Sequence, residues 1–438
     1  MKLFKYIAIV AMVFIVSFFY FPVGLKFVAG YNTKTIMAGI GIAFAAWAMI
    51  KKPAGIPKNL IPLFILAAAV SVVGAFSVVY NGTIDTAYAT YFISMAVWLS
   101  AAFVVCVMIR WLHGYLDVKL AGHYIIAVCA MQCISVLLID NIPVVNAFLN
   151  SIFALDKEVM EEMHRLYGIG ASLDVAGIRF SVCLIIISAF IHDLKDDAPI
   201  HMILLYVVTF LFVCVVGCMV ARTTYVGIIM SVGYWVLCRI FESGKVGLTS
   251  GRIGILTILL GVAVVICTFL YNTNPSFRFS LRFAFEGFFN LFERGEYSVA
   301  STDTLKTMYV FPDNLKTWII GDGYFSNPYW SDPNFIWQGE ATRGFYKGTD
   351  VGYLRFTFYF GVIGLVTFSV FLIHAALMCI RLLPKYKLMF VCIIIAGFVI
   401  WLKVATDVFL ILALFICVGN MMDEPESDED EDTELIEE

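Results

Sequence analysis

Charged residues are scarce in this chain. Only 14% of its 438 residues are Asp, Glu, Lys or Arg, whereas 61% are hydrophobic and the mean hydropathy is +0.90. A soluble domain built on one core does not need so much apolar sequence, so the composition excludes that class and makes the lipid bilayer the solvent. Phe (39) and Tyr (21) are abundant, which is typical of a polytopic membrane protein with aromatic belts.

Cysteine is missing from the long polar stretches. All eleven Cys residues fall within apolar segments, so we expect no disulfide framework. The pairs Cys129/Cys133 and Cys214/Cys218 have helical spacing. Neither pair has neighbours of the kind that activate a thiol or complete a metal site, which favours a packing role.

Acidic residues are few outside the C-terminal end. Eleven of the 33 stand in "DEPESDEDEDTELIEE", which leaves 22 acidic against 29 basic residues, a net charge of +7, in the rest of the chain. So dense a run of one charge is typical of a solvated, disordered end. We therefore predict that 422–438 is a disordered acidic tail.

Apolar windows predict an all-α polytopic membrane protein with about twelve transmembrane helices. The first run follows two lysines, is too long for a signal-peptide core and precedes no small-x-small cleavage site, so we expect it to stay as a helix. The last apolar run is too long for one span and is divided at Lys403 and Asp407. The predicted spans are 4–22, 35–50, 60–80, 88–109, 120–139, 176–192, 201–220, 223–240, 253–271, 351–375, 388–402 and 405–421.

The connectors predict the orientation of these spans. Fourteen Lys and Arg residues fall in the segments that would be cytoplasmic if the N-terminus is inside, among them Lys119 and Lys385, whereas the short outer connectors hold six. This asymmetry favours cytoplasmic N- and C-termini. The predicted organisation is 1–271 for nine membrane helices, 272–350 for a large extracytoplasmic loop, 351–421 for three membrane helices, and then the cytoplasmic tail.

The outer loop has three kinds of sequence. Residues 276–296 are rich in Phe, with Arg278 and Arg282 four apart, which predicts an amphipathic helix either on the membrane surface or over the mouth of the bundle. "STDTLKTMYVFPDNLKTW" begins with capping residues and breaks at Pro312, as a short helix and turn would. "IIGDGYFSNPYWSDPNF" combines turn residues with aromatics that suit sugar stacking or interfacial anchoring.

Three arginines are predicted at the same outer level, two of them a short way inside spans and one in the tight connector between the spans 201–220 and 223–240. They are Arg179, Arg222 and Arg355. A single arginine at that depth can snorkel to the interface. Three from different helices instead favour a shared site for a lipid phosphate, because the planar guanidinium suits bidentate phosphate binding.

Four segments together resemble the O-antigen polymerase and O-antigen ligase families, which are membrane glycosyltransferases. They are "HRLYGIGASLDVAGIRFSVCL", "VARTTYVGIIMSV", "WIIGDGYF" and "GTDVGYLRFTFYFGVIGLVTF". The long outer loop before the last three spans fits the same plan, and the resemblance implies a GT-C-type glycosyltransferase architecture. The ligases typically have a His before the Tyr-Leu pair, whereas this chain has Thr349-Asp350, which favours a polymerase.

The resemblance implies that a growing glycan on polyprenyl diphosphate is the donor. A hydroxyl of the next lipid-linked repeat unit would attack the anomeric carbon with inversion, without a metal, a nucleotide sugar or another cofactor. A chain-length regulator protein is a further candidate partner, whereas nucleic acid is not, and the location implied is the bacterial inner membrane. A flippase or other secondary transporter remains an alternative class, although no internal repeat is visible.

The candidate residues follow from these arguments. We assign the catalytic positions to Asp350, as base for the acceptor hydroxyl, and to Arg222 and Arg355, as cations for the leaving diphosphate. The alternative for Asp350 is an N-cap for the helix that follows it. Candidate substrate-binding residues are Arg179, Arg165, Tyr353, Arg278, Arg282, Asp322 and Arg343.

Overall fold

Helices make up most of the computed structural model. It describes residues 2–28, 30–51, 57–155, 157, 160, 165–194, 198–241, 250–327 and 344–422. The longer helices are α1 (Lys2–Tyr20), α2 (Thr33–Lys51), α3 (Ile61–Asn81), α4 (Tyr91–His113), α5 (Val118–Asn141), α6 (Pro143–Ile152), α7 (Leu173–His192), α8 (Ile200–Val220), α9 (Thr224–Phe241), α10 (Ser250–Thr273), α11 (Pro275–Ala284), α12 (Glu286–Arg294), α13 (Ala300–Thr307), α14 (Leu315–Ile319), α15 (Gly352–Leu382), α16 (Lys387–Ile400) and α17 (Phe409–Met421). Single 3₁₀ turns cover Lys58–Leu60, Tyr346–Gly348 and Pro384–Tyr386.

Seven of the described helices are long and apolar enough to cross a membrane, namely α1, α3, α4, α5, α7, α8 and α15. A helix also stands at each of the other predicted windows, where α2, α9, α10, α16 and α17 are found. The predominantly helical fold is thus confirmed, and its long apolar helices are those of a membrane protein by length and composition. That all twelve helices cross the bilayer stays a prediction, and the acidic tail lies outside the described residues.

Helix α7 is the centre of the bundle. Every residue from Ala176 to Phe190 is buried. The turn into α9 lies close against it, because Ser181 Oγ donates to the carbonyl of Thr223 at 3.1 Å and accepts from the Gly227 amide at 3.1 Å. A side chain at Gly227 would overlap Ser181, so glycine is what permits this approach. The contact holds the first half of α7 against the α8–α9 turn and the start of α9.

A break in α15 receives the glycine-rich loop of the outer segment. Gly361 has φ +68° and ψ −175°, which interrupts the helix and leaves carbonyl groups without intrahelical donors. The amides of Asp322 and Gly323 donate to the carbonyls of Phe358 and Tyr359, the latter at 3.0 Å. Loop and break therefore hold each other, and the outer segment is tied to the membrane helix that follows it.

The Phe-rich segment covers the mouth of the bundle. It forms two helices, α11 and α12, joined at Phe285. Phe277, Leu281 and Phe285 pack on Cys218 and Met219 at the end of α8. The second of the two alternatives, packing over the bundle, is thus the one observed. The expectation of one continuous helix over 276–296 is wrong, because the chain turns at Phe285.

Short helices follow in the outer segment, as predicted, but one start differs. The predicted Ser/Thr/Asp cap of α13 is wrong, because its N-cap is Val299 and the Ala300 amide donates to Glu286 Oε1 at 3.2 Å. The carboxylate that satisfies this helix end thus comes from α12. Helix α14 begins after Pro312 and is capped by Asn314 Oδ1, which accepts from the Thr317 amide.

The bundle has two distinct ends. At one end Asp193 pairs with Lys119 at 2.7 Å and with Lys385 at 2.6 Å, so connectors that the sequence assigned to the cytoplasmic side meet there. At the other end a two-residue pair of antiparallel strands, β1 (Gly24–Leu25) and β2 (Phe153–Ala154), links two connectors assigned to the outside. The outer segment covers this second end.

Candidate functional site

A chamber of about 870 Å³ lies where the outer segment covers the bundle. This volume is in the range of about 300–1,000 Å³ that small-molecule sites occupy. Its floor comes from the start of α7, the α8–α9 turn and the α16–α17 hairpin, and its roof from α11 to α13. The charged residues that line it are Arg165, Asp174, Arg222, Arg282, Glu286, Asp350 and Lys403.

Asp350 is the least satisfied of the carboxylates that line this chamber. Its Oδ1 is buried and has no hydrogen-bond partner among the described residues, and its contact with Arg355 Nη1 is a loose 3.5 Å. Burial raises the pKa of Asp350 to about 7, against the lowering effect of Arg355. A carboxyl group with such a pKa can exchange a proton at neutral pH.

The N-cap alternative for Asp350 is wrong. The N-cap of α15 is Val351, whose amide donates to Thr349 Oγ1 at 3.3 Å, and no side chain caps the helix. The Asp350 side chain therefore does not cap the helix, and it lines the chamber instead.

Arg355 lies behind Asp350 rather than in the chamber wall. Its guanidinium stacks on the ring of Phe325 at 3.8 Å and lies 4.7 Å from the ring of Phe345, and its Nη2 donates to the Phe325 carbonyl at 3.1 Å. The side chain is 8% exposed. In this position Arg355 acts on Asp350 and not directly on a ligand of the chamber.

Arg222 lines the chamber, and each of its three guanidinium nitrogens already donates a hydrogen bond within the protein. Its Nε donates to the Phe283 carbonyl at 3.0 Å, Nη1 to Ser301 Oγ at 2.8 Å, and Nη2 to Glu286 Oε2 at 2.6 Å. These partners belong to α11, α12 and α13. Arg222 thus ties the α8–α9 turn to the roof, which is an organising role that sequence reasoning did not assign.

Two residues of the site were not among the sequence candidates. Asp174 Oδ1 accepts from Lys403 Nζ at 2.8 Å and from Thr223 Oγ1 at 3.0 Å, so α7, the α8–α9 turn and the α16–α17 hairpin meet at one carboxylate. Both Asp174 and Lys403 influence Asp350 electrostatically. The signal for Lys403 was its charge inside an apolar run, and Asp174 stands five residues before Arg179.

Among the cations that line the chamber, Arg165 makes the fewest hydrogen bonds and ion pairs with described residues. Its guanidinium lies 4.7 Å from the ring of Phe283, and no described residue pairs with it or accepts a hydrogen bond from it. Arg282, by contrast, makes a bidentate pair with Glu293, with both N–O distances 2.6 Å. Arg165 is therefore the group best placed to meet an anion in the chamber.

The three intramembrane arginines do not share a cavity. Arg179 is buried 5.3 Å from the ring of Phe21, and neither it nor Arg355 lines the chamber, in which Arg222 stands alone of the three. Their convergence on one phosphate is therefore not what the structure shows. The sequence placed the three arginines at one depth, but their side chains point in different directions.

Other predicted site residues have local structural partners. Asp322 accepts from Lys316 Nζ at 2.8 Å and from Thr317 Oγ1 at 2.7 Å, which holds the glycine-rich loop. The Tyr353 hydroxyl donates to the Phe398 carbonyl at 3.0 Å, and Arg278 donates to the Tyr271 carbonyl at 2.8 Å. Arg343 lies outside the described residues.

Two further cavities adjoin the chamber. A recess of about 210 Å³ shares Arg222, Glu286 and Lys403 with it and has apolar walls that include Val399 and Ile400. A cleft of about 360 Å³ shares Arg165 and Phe279 with it. No protein-family model, curated protein or solved structure matches the chain.

Proposed function

We propose that this protein is a membrane glycosyltransferase that polymerises oligosaccharide repeat units carried on polyprenyl diphosphate. The observation that carries the proposal is Asp350, a chamber carboxyl group with a pKa of about 7 and an Oδ1 atom that no described residue hydrogen-bonds. It stands in a cavity that also contains Arg165, Arg222 and Lys403. A base and cations in one cavity are what transfer from a diphosphate leaving group requires.

In the proposed reaction, Asp350 accepts the proton of the acceptor hydroxyl as its oxygen attacks the anomeric carbon of the donor. A new carbon–oxygen bond forms while the bond from that carbon to the diphosphate oxygen breaks, and the configuration inverts. The leaving diphosphate takes the bonding electrons as negative charge. Arg165 is the cation that pairs with no described residue and can meet this charge, and Lys403, which pairs with Asp174, lines the same chamber.

The recess supports a lipid-linked substrate. A polyprenyl diphosphate joins a long apolar chain to a doubly charged headgroup, so its site needs cations next to an apolar wall. Val399 and Ile400 line the recess together with Arg222 and Lys403. The lipid end of the substrate would thus lie in the recess and its sugar in the chamber.

The test is the fate of lipid-linked repeats in a strain that lacks the gene. Single repeats that stay on lipid, or reach their acceptor unpolymerised, support the polymerase. Long polymer retained on lipid indicates a ligase, and repeats trapped inside indicate a flippase. Reintroduced Asp350→Asn should form polymer about 100- to 10,000-fold more slowly, the span expected when a general base is lost, at normal membrane abundance.

A matched control is Asp303→Asn. Asp303 lies on α13 and pairs with Lys306 at 2.8 Å on the exposed surface, and it does not line the chamber. This control should make polymer at the wild-type rate. If Asp350→Asn is as active as Asp303→Asn, Asp350 is not the base and the catalytic assignment fails.

A further inference from the structure

The cleft beside the chamber is suited to a ligand rich in hydroxyl groups. It is lined by the end of α5, by α6, by residues 165–167 and by one face of α11, including Asp140, Asn146, Arg165, Tyr167, Phe279 and Ser280. We propose that this side cleft is a glycan-binding subsite, which holds sugar units one or two residues away from the bond that forms in the chamber. The inference rests on the proposed function and assigns where its substrate lies.

Helix α11 separates the two cavities and belongs to both. Ser276, Phe279 and Ser280 face the side cleft, at the spacing of three and four residues that puts side chains on one helix face. Phe279 also lines the chamber, together with Arg282 and Phe283 one turn later. A ligand that extends past Phe279 and Arg165 would therefore enter both cavities at once.

Two polar groups of the side cleft make no hydrogen bond to a described residue. The Asn146 Oδ1 accepts from Tyr167 at 3.3 Å and also from the side-chain amide of Asn150, whereas no described residue accepts from the Asn146 amide nitrogen. The Ser280 side chain is only 7% exposed, and its hydroxyl bonds to no described residue. Both residues line the cleft, so the Asn146 amide nitrogen and the Ser280 hydroxyl can form hydrogen bonds with a polar ligand there.

The charge of the side cleft favours a sugar over a phosphate. Asp140 lines it and would repel an anion, and its Oδ2 accepts from Ser276 Oγ at 2.8 Å. Among the described residues, Arg165 is the one cation that lines the cleft, and it lies at the boundary with the chamber. Phe279 is 55% exposed and offers a ring face of the kind on which the apolar face of a sugar can stack.

The test uses the soluble oligosaccharide released by mild acid from the lipid-linked repeats of the deletion strain. Its binding to detergent-purified full-length protein is measured by calorimetry for wild type, Asp350→Asn, Phe279→Ala and Asn146→Ala. We expect Phe279→Ala and Asn146→Ala each to weaken binding about tenfold, as the loss of one aromatic or hydrogen-bond contact does. In membranes, the two cleft variants should make shorter polymer.

Phe292→Ala is the matched control, because Phe292 lies on α12, is 85% exposed and does not line the cleft or the chamber. It should bind and polymerise like wild type. If Phe279→Ala and Asn146→Ala bind and polymerise like this control while Asp350→Asn is inactive, the glycan subsite is wrong and the polymerase stands. If the deletion strain accumulates no lipid-linked repeats, both proposals fail together.

Discussion

At the scale of the residue, the pKa of Asp350 predicts a pH dependence. Burial raises this pKa to about 7, so below pH 7 most of the carboxyl groups hold a proton and cannot accept one. The initial rate of polymer formation in proteoliposomes should rise close to tenfold per pH unit toward pH 7 and level off above it. In Asp350→Asn the residual rate should be independent of this ionisation. A wild-type rate that is flat from pH 5 to 8 would contradict the assignment.

Burial of the same carboxyl group should lower the free energy of unfolding at neutral pH. Its pKa is about 7 in the folded protein and 3.8 without the fold, so the unfolded chain releases this proton first as the pH rises. The folded state therefore loses stability between about pH 4 and pH 7, and the loss stays constant above that. Asp350→Asn removes the penalty, which is on the order of 4 kcal/mol because one pKa unit is worth about 1.4 kcal/mol. The melting temperature of Asp350→Asn should exceed that of wild type at pH 8, by a margin that shrinks toward pH 5.

If Asp350→Asn has a lower melting temperature than wild type at pH 8, the Asp350 carboxylate stabilises the folded protein instead of destabilising it. Asp350 would then be ionised and held by Arg355 in the folded state, and its role would be structural.

Two chamber arginines should respond differently to replacement by lysine. Arg222 donates to three partners on three helices, and a lysine can replace about one of those bonds. Arg222→Lys should therefore lower the free energy of unfolding by about 1–3 kcal/mol. Arg165 has no such partners among the described residues, so Arg165→Lys should leave the melting temperature unchanged and lower the rate about 30- to 1,000-fold. Equal melting temperatures and equal rates for both variants would contradict this division.

At the scale of the element, periodicity and hydropathy were enough to place the helices. Each apolar window predicted one, because a membrane helix needs a long apolar run whatever its neighbours are. The sequence could not predict how each helix is rotated about its own axis. The depth of Arg179, Arg222 and Arg355 follows from their position in a span, whereas the direction of each side chain depends on which helices pack against it. Hence Arg179 faces Phe21, and Asp174 on the same helix faces the chamber.

The break in α15 gives a prediction for the outer segment as a unit. Gly361 has a backbone conformation that only glycine adopts readily, and a Cβ there would overlap the Ile319 carbonyl oxygen. Gly361→Ala should therefore release α14 and the glycine-rich loop, with a loss of at least about 1–3 kcal/mol. Limited proteolysis should cut the outer segment faster in this variant.

Gly261→Ala is the control for that experiment, since a Cβ at Gly261 in α10 would meet no atom within 4 Å. It should resist the protease like wild type. Equal cleavage of Gly361→Ala and Gly261→Ala would mean that the break does not hold the loop.

At the scale of the whole molecule, the site is assembled from segments far apart in sequence. Asp174 and Lys403 pair directly although 229 positions separate them. Such pairings depend on how the helices are arranged in the bundle, which local patterns do not contain. The sequence could predict that the outer connectors share one side of the membrane, but it could not predict that α7, the α8–α9 turn and the α16–α17 hairpin meet at one carboxylate.

The orientation of the bundle decides whether the chamber can meet substrates on the outer face. The distribution of Lys and Arg predicts that α13 lies outside and the α15–α16 connector inside. In spheroplasts, a membrane-impermeant maleimide should therefore label Asp303→Cys and should reach Lys385→Cys only after permeabilisation. Both side chains are well exposed, at 60% and 64%, so access through the membrane is the variable measured.

The wild-type protein is the background for this experiment, because each of its eleven cysteines is buried or half-buried. The reverse pattern, with Lys385→Cys labelled in intact spheroplasts and Asp303→Cys protected, would put the chamber on the cytoplasmic side. Lipid-linked repeats exported to the outer face could not then reach Asp350. The proposed polymerase would fail at its first requirement, even if every contact within the chamber were as described.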